Sequence, residues 1–409
     1  MRKPSVLIIF LTVFLDLVGF GIVIPLLPIY AQHFHAAGWE LGAIAASFSA
    51  MQFFFGPILG RLSDRIGRRP VLLFSTAGAS LSYLLFAYAS SLDGRTALLW
   101  MFLARGFAGI CGANITVAQA YIADITPPAD RSKKMGLIGM AFGLGFIFGP
   151  AISGSVLKYG LAVPGLVAAG LCALNFLLAF AILPESWKPE SAPVAPRPHF
   201  AQWVHTMTRP KVGLLIAIFF LATFCFTCFE VTLGLLIIKN FPELGTDSAA
   251  IGKTATRLFI FAGLIGAFVQ GGATGRLVKL MGESKLIALS MFLVAVSLAP
   301  MPFATSWSAL YVMLAVLSIG SSLTRPPVFG MISKLTPPDE QGVTLGVAQS
   351  AGSLARIAGP LFAATLFKFN APLPYLICGV ISLLTGILAW QRLSDGVPAT
   401  VAATAAAKP

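Results

Sequence analysis

Charge is scarce in this chain. Only 11% of its 409 residues are Asp, Glu, Lys or Arg, where a soluble domain carries about 25%, so there is too little polar surface for a fold that faces water. Acidic residues are the rarest, 15 against 28 Lys and Arg, which leaves a formal charge of +13. The basic residues stand between apolar runs rather than on one polar face, so they speak for membrane topology and against nucleic acid as a partner. Cysteine is sparse as well. Cys111, Cys172, Cys225, Cys228 and Cys378 all fall inside apolar runs, which excludes a disulfide framework and an exposed metal centre. The Cys225-x-x-Cys228 pair reads as two small packing residues with no redox role. No nucleophile with its base, metal cluster or phosphate-binding loop occurs at a usable spacing, so the sequence gives no support to an enzyme or to a bound cofactor.

Apolar length is what the chain has in abundance. Hydrophobic residues make up 57% of it and the mean hydropathy is +0.86. Apolar runs of about 18 residues or more recur from end to end, each able to cross a hydrocarbon core roughly 30 Å thick. Bounded by charges, Gly, Pro and Asn, they predict twelve spans beginning near Ser5, Leu41, Pro70, Thr96, Ser132, Val163, Lys211, Ser248, Ser284, Trp307, Gln341 and Leu373. The run from Ser5 to Tyr30 follows Met1-Arg2-Lys3 as a signal peptide would. It is too long for one and has no small-residue cleavage site, so it reads as the first helix. The expected fold is an all-α membrane protein with twelve transmembrane helices in two pseudo-symmetric six-helix bundles.

An even number of spans puts both termini on one side. Loops on the side of the N-terminus hold 19 Lys and Arg, the opposite loops hold 5, and 4 lie within or at the edge of helices, which accounts for all 28. Positive charge accumulates on the cytoplasmic side, so the expectation is a multi-pass protein of the cell (inner) membrane with both termini cytoplasmic. The stretch from Glu185 to Arg209 contains Pro189, Pro193, Pro196 and Pro198 and divides the spans six and six. It reads as a linker (185–209) between bundles at 1–184 and 210–394, with a disordered tail at 395–409. An internal repeat supports the division. Ile125-Thr-Pro-Pro128, Gly136 and Gly149-Pro150 recur 210 positions on as Leu335-Thr-Pro-Pro338, Gly346 and Gly359-Pro360, and Gly60 and Gly67 have a fainter echo 215 positions on in Gly275 and Gly282. Paired six-helix halves of this kind are a common secondary-transporter plan, with substrate bound near the midplane.

Three motifs carry a family resemblance. The loop after the second span reads Gly60-Arg-Leu-Ser-Asp64-Arg65-Ile-Gly67-Arg68-Arg69-Pro70 and resembles the signature loop of the major facilitator superfamily. The fifth span places Gly136, Gly145, Gly149-Pro150 and Ser153-Gly154 at the spacing that marks antiporters in that superfamily, with Ser153 in place of one Gly. The first span reads Leu15-Asp16-Leu-Val-Gly19-Phe-Gly21-Ile-Val-Ile-Pro25-Leu-Leu-Pro28 and is similar to the opening of the tetracycline-efflux-like drug/proton antiporters. Where those exporters have an acidic residue in the third helix, this chain has Ser82, a departure that puts tetracycline itself in question as substrate. The resemblance implies that the Gly60–Arg69 loop helps lock the cytoplasmic side and controls a conformational switch. Physically, Gly145-x-x-x-Gly149 clears one helix face for close packing, and Pro150 frees a carbonyl one turn earlier.

Charged residues inside the spans are the candidate functional sites. Asp16 lies about eleven residues, or roughly 16 Å, into the first helix, where an ionised carboxylate costs about 2.5–3.5 kcal/mol. It should face a cavity and be either protonated or paired, and a group that alternates between the two is what proton coupling requires. A plain packing contact is the alternative. Arg105 matches the superfamily pattern associated with proton transfer, the alternative being a structural counter-ion, and Glu230 reads as a site for a proton or a cationic substrate. Arg325 and Arg356 suit an anionic substrate group instead, which leaves the charge of the substrate open. Arg356 occupies the repeat position of Phe146. Gln52, Asn114, Gln119, Gln270 and Gln349, with Asn175, are the polar candidates for lining a cavity rich in aromatic and Met side chains. The expected function is export of small lipophilic drugs or metabolites in exchange for protons, by a monomer whose partners are substrate, protons and lipid. An importer or facilitator of the same fold, and a receptor or scaffold that has lost transport, are the alternatives.

Overall fold

Lipid offers a backbone no hydrogen-bond partner, so a chain this apolar satisfies its amides within helices. The computed structural model describes residues 5–23, 26–27, 30, 33–36, 38–187, 199–244 and 248–393. Pro25 and Pro28 of the first motif, the four linker prolines and the tail at 395–409 lie outside the described residues. Before the linker the described residues form α1 (Val6–Val23), α2 (Gly38–Ile66), α3 (Arg68–Ala89), α4 (Gly94–Cys111), α5 (Asn114–Ile125), α6 (Arg131–Val156) and α7 (Val163–Ile182). After the short α8 (His199–Thr208) come α9 (Pro210–Asn240), α10 (Ser248–Phe268), α11 (Thr274–Met281), α12 (Glu283–Leu298), α13 (Trp307–Lys334), α14 (Gln341–Phe369) and α15 (Leu373–Leu393). A break at Gly112–Ala113 divides the fourth crossing into α4 and α5, and a π-helical turn at Val269–Ala273 joins α10 to α11 in the eighth.

Among the described residues, eleven helical segments are long and apolar enough to cross a membrane. The twelfth long helix, α14, is more polar, with Gln341, Thr344, Gln349, Ser350 and Ser353 buried along it. All twelve expected starts fall within three residues of an observed helix start. The outer surface carries large apolar side chains such as Phe74, Leu177 and Val312, as a lipid-facing wall requires.

Two seams join the halves, and glycine makes both. In one, α2 meets α14 backbone to backbone: a Cβ on Gly346 would lie 2.7 Å from the Gly56 carbonyl oxygen, and one on Gly60 would strike Gly342. In the other, α6 meets α10, and a Cβ on Gly143 would lie 3.1 Å from the Gly263 carbonyl oxygen. Small residues buy this proximity, which is where helices in lipid gain their packing energy. The cores show how far the seams reach. At the end carrying the Gly60–Arg69 loop, one continuous core runs through both halves, including Leu59, Ile122, Phe219 and Val347. At the opposite end each half keeps a core of its own, around Ile22, Phe86 and Ala168 in the first and Phe229, Leu298 and Tyr375 in the second. The halves therefore share a core at the loop end and pack on separate cores toward the other, and the region between those separate cores is the cleft.

Within the first half, α1 and α6 interlock through Gly21, Gly145 and Gly149. A Cβ on Gly145 would lie 2.9 Å from the Leu17 carbonyl oxygen, and one on Gly149 would land on the Gly21 backbone, whereas at Gly154 nothing lies within 4 Å. Gly149→Val should therefore lower the melting temperature of the purified protein, overpacking costing about 1–3 kcal/mol. Gly154→Ala should leave it unchanged, and equal melting temperatures for the two variants would contradict this packing.

Candidate functional site

The break between α4 and α5 comes first, because it aims a side chain. Gly109 rests on the Phe48 backbone, 2.9 Å separating a notional Cβ from the Phe48 Cα, and the chain then turns through Gly112 and Ala113 into Asn114. Asn114 Nδ2 donates to Asp16 Oδ2 (2.5 Å), while Asn175 Nδ2 donates to Asp16 Oδ1 (2.7 Å) and to the Thr12 carbonyl oxygen (2.8 Å). Asp16 thus sits in a collar of two neutral amides from two other helices and is only partly buried. Amide donors stabilise the ionised form without the hold of a permanent cation, so the carboxylate remains able to take up a proton. Arg105 is not part of that collar. Its guanidinium lies over the rings of Phe20 (5.6 Å) and Phe48 (4.8 Å), it is 3% exposed, and its Nε and Nη1 have no hydrogen-bond partner. No ion pair joins Arg105 to Asp16 among the described residues.

The second half presents arginines to the same cleft. Arg325 precedes Pro326-Pro327 in α13 and is surrounded by the rings of Phe142 (4.8 Å), Phe329 (5.4 Å) and Phe219 (5.7 Å). Its Nη2 donates to Gln349 Oε1 at 3.0 Å, and its Nε has no partner. Arg356 Nη2 donates to Gln52 Oε1 (2.6 Å) and Ser353 Oγ (3.0 Å). Gln52 Nε2 in turn donates to the Gly112 carbonyl oxygen at 3.0 Å, which ties the α2–α14 seam to the break that positions Asn114. Glu230 is exposed on α9 and stands within electrostatic reach of Arg356.

At the sealed end the signature loop closes a latch. Asp64 accepts the backbone N–H groups of Gly342 and Val343, both at 3.0 Å, so its carboxylate sits on the positive end of α14. Arg68 is fully buried beneath it and donates to Asp64, to Ser63 Oγ (2.8 Å) and to Asp124 Oδ2 (3.0 Å). Gly67, with φ +100°, turns the chain, and Glu185 accepts the backbone N–H groups of Arg68 (2.9 Å) and Arg69 (3.0 Å) at the start of α3.

A mirror-related latch lies on the other seam. Gly282, with φ +79°, turns the chain into Glu283, whose carboxylate accepts from Lys334 Nζ (2.7 Å) and from Ser132 Oγ at the start of α6. Arg131 Nη1 donates to the Ser333 carbonyl oxygen at 3.0 Å. The step of 215 that carries Gly67 onto Gly282 carries Arg68 onto Glu283, and the step of 210 that carries Gly149 onto Gly359 carries Asp124 onto Lys334 and Ser132 onto Gly342. The buried Arg68–Asp124 pair therefore recurs with its charges exchanged, and each half holds the beginning of a helix of the other.

The remaining sequence candidates scatter. Arg65 is exposed, and Arg69 Nη2 donates to the Phe180 carbonyl oxygen (2.8 Å). Gln119 is 1% exposed with its Oε1 unpartnered. Gln270 belongs to a seam rather than to the cleft: it lies in the π-helical turn, its carbonyl oxygen 2.6 Å from a notional Cβ on Gly136 and its side chain against Gly139. The glycine face of α6 is what makes room for it there. Glu283, Lys334, Ser132, Asp124 and Glu185 were not singled out from sequence. The two repeat steps applied to Arg68 and Asp124 point to Glu283 and Lys334, whereas nothing in the sequence marks Phe20 and Phe48 as the platform for Arg105.

Known proteins place this arrangement. The family model described as Major Facilitator Superfamily matches residues 9–283 and 243–408. The chain is 35% identical over 381 residues to tetracycline resistance protein, class C, of Escherichia coli, covering 91% of this chain and 92% of that protein. It is 25% identical over 388 residues to multidrug resistance protein 2 of Bacillus subtilis (strain 168), covering 94% of each. The crystal structure of the human organic anion transporter MFSD10 (TETRAN) superposes with a TM-score of 0.83 at 26% identity, over 95% of this chain and all of that one.

The exchanged latch yields a charge-swap test. Glu283→Lys and Lys334→Glu should each slow transport and lower the melting temperature, and the double variant should recover most of both. The pair is partly exposed, at 12% and 28%, so the expected coupling in the double-mutant cycle is about 1 kcal/mol. Strict additivity of the two changes would remove the pair from the latch.

Proposed function

The chain belongs to the Major Facilitator Superfamily and is a membrane transporter rather than an enzyme, and from that premise we propose that it exports small lipophilic drugs or metabolites in exchange for protons by alternating access. The observation that carries this reading is Asp16, a carboxylate inside the first span held by two neutral amides and partly open to the cleft. Relatives named for tetracycline and multidrug resistance support export over import. Ser82, in place of the acidic residue of the tetracycline exporters, directs attention to other drugs or metabolites.

The excess of Lys and Arg on the side of the Gly60–Arg69 loop supports assigning that end, with both termini, to the cytoplasm of a cell (inner) membrane. On this assignment the cleft opens outward while the Asp64 and Glu283 latches hold the cytoplasmic side closed. Substrate leaves, and a proton reaches Asp16. Neutralised, the carboxylate accepts less strongly from Asn114 and Asn175, and the loosened α4–α5 break transmits this through Gln52 to the α2–α14 seam. The latches then part, the bundles at 1–184 and 210–394 rock about the 185–209 linker, and Asp16 releases its proton inside. Arg105 stays a fixed positive charge on its platform of Phe20 and Phe48, while Glu230, beside Arg356, is the second group available to the proton. One copy of the chain contains every part of this cycle, so it works as a monomer.

Inverted membrane vesicles carrying the purified protein, given an acid interior, should accumulate a fluorescent lipophilic drug, and Asp16→Asn should reduce that accumulation at least tenfold while leaving drug binding intact. Gradient-driven accumulation that survives the substitution would take Asp16 out of the coupling mechanism, and drug movement in the direction of the proton flux would replace export by import.

A further inference from the structure

The step of 215 that relates the two latches also inverts a charge. It carries Gly60 and Arg61 onto Gly275 and Arg276, but Asp64 onto Lys279. In the first latch Asp64 is the carboxylate that meets the opposite half, at Gly342 and Val343. At the related place the second half offers an ammonium, and what stands opposite is another cation. The step of 210 relates Val343 to Lys133, and the stem of Lys133 lies across Gly275, its Cγ 2.6 Å and its Cδ 2.8 Å from a notional Cβ there. Gly275 and Lys279 are i and i+4, one turn apart on the same face of α11.

Lys133, Arg276 and Lys279 are all exposed, and none forms an ion pair among the described residues. The acidic residues that flank them in sequence do not neutralise them. Glu283 is taken by Lys334 and Ser132, and Asp130, just before α6, forms no ion pair among the described residues. Positive-inside topology accounts for basic residues at this end, but not for cations of opposite halves meeting where the first latch has a carboxylate. The neighbouring surface is apolar. Leu280, next to Lys279, is 81% exposed, and Met281 is exposed after it. Bared apolar side chains beside unpaired cations suit a partner that carries hydrocarbon chains below an anionic headgroup.

We propose that the seam between α6 and α11 binds the headgroup of an anionic phospholipid, its phosphate bridging Lys133 of the first half and Arg276 and Lys279 of the second. The lipid supplies from outside the counter-charge that Asp64 supplies from within at the first latch, and it ties the two halves together at this end. The assignment of this end to the cytoplasm decides only which leaflet provides it.

The probe is dihexanoylphosphatidylglycerol, added to the full chain in a neutral detergent and compared with dihexanoylphosphatidylcholine and with inorganic phosphate. Phosphatidylglycerol should raise the melting temperature at an about tenfold lower concentration than phosphatidylcholine, and phosphate should leave it unchanged. Lys133→Gln, Arg276→Gln and Lys279→Gln should each weaken the response about fivefold, and Arg392→Gln, an equal loss of charge at the end of α15, less than twofold. Lys279→Asp gives the second latch the residue type of the first, so the melting temperature without lipid should rise and the response to phosphatidylglycerol should vanish. Equal responses to the two phospholipids overturn the proposal, as does a loss in Arg392→Gln as large as in the other variants. A rise reproduced by phosphate alone overturns the choice of a lipid. Should a variant fail to fold, the two phospholipids on the unsubstituted protein decide. All readings are taken without substrate or proton gradient, so their outcome is separate from that of the export reading.

Discussion

A charge inside lipid must be stabilised and, in a transporter, must also remain able to change. The placement of charge in this molecule follows from that double demand. The ion pairs Asp64–Arg68, Arg68–Asp124, Arg209–Glu340 and Glu283–Lys334 all gather at the end where one core runs through both halves. Within the spans the partners are neutral: two asparagines for Asp16, aromatic rings for Arg105, and glutamine, serine and rings for Arg325 and Arg356. Neutral partners give up less energy when a proton or a ligand arrives, because no opposite charge is left uncompensated by the exchange. Charged pairs at the joined end and neutral partners within the spans are two solutions to one solvation problem.

The seams connect these regimes mechanically. Because glycines bring α2 against α14 and α6 against α10 at backbone distance, a small rotation of one half meets hard atoms rather than deformable side chains. Gln52 stands at the upper limit of the first seam, bonded to the backbone of the α4–α5 break on one side and to Arg356 on the other. It forms a hydrogen-bonded route between the helix break that carries Asn114 and the opposite half.

Much of the fold was legible in the chain because it depends on one property, apolar length, which is additive along the sequence. The same holds for the halves, which the Thr-Pro-Pro and Gly-Pro repeats announce, and for Asp64, whose loop is a contiguous motif. The intramembrane charges could also be picked out singly, since any ionisable residue in such a run is conspicuous. Their partners could not. The Asn114–Asp16–Asn175 collar depends on a helix break at Gly112, and the Phe48 platform for Arg105 depends on Gly109 letting two backbones touch. Gln270 makes a related point: a glutamine in an apolar run signals burial, but whether it meets a cavity or a bare glycine face is decided by the neighbouring helix.

The two latches are alike in plan but not in parts, and the inequality restricts which surfaces can meet. Gly60 tolerates Gly342 opposite because neither carries a side chain, yet the position related to Gly342 in the first half is Ser132, whose hydroxyl is held by Glu283. Were one copy of the first half to face another, Ser132 would be driven into the Gly60 backbone. Were the second half to face itself, Glu283 would find a glycine where it needs a hydroxyl. Whatever ancestral unit was duplicated, its descendants have become complementary and no longer self-complementary, so the two halves of this chain are obligate mates.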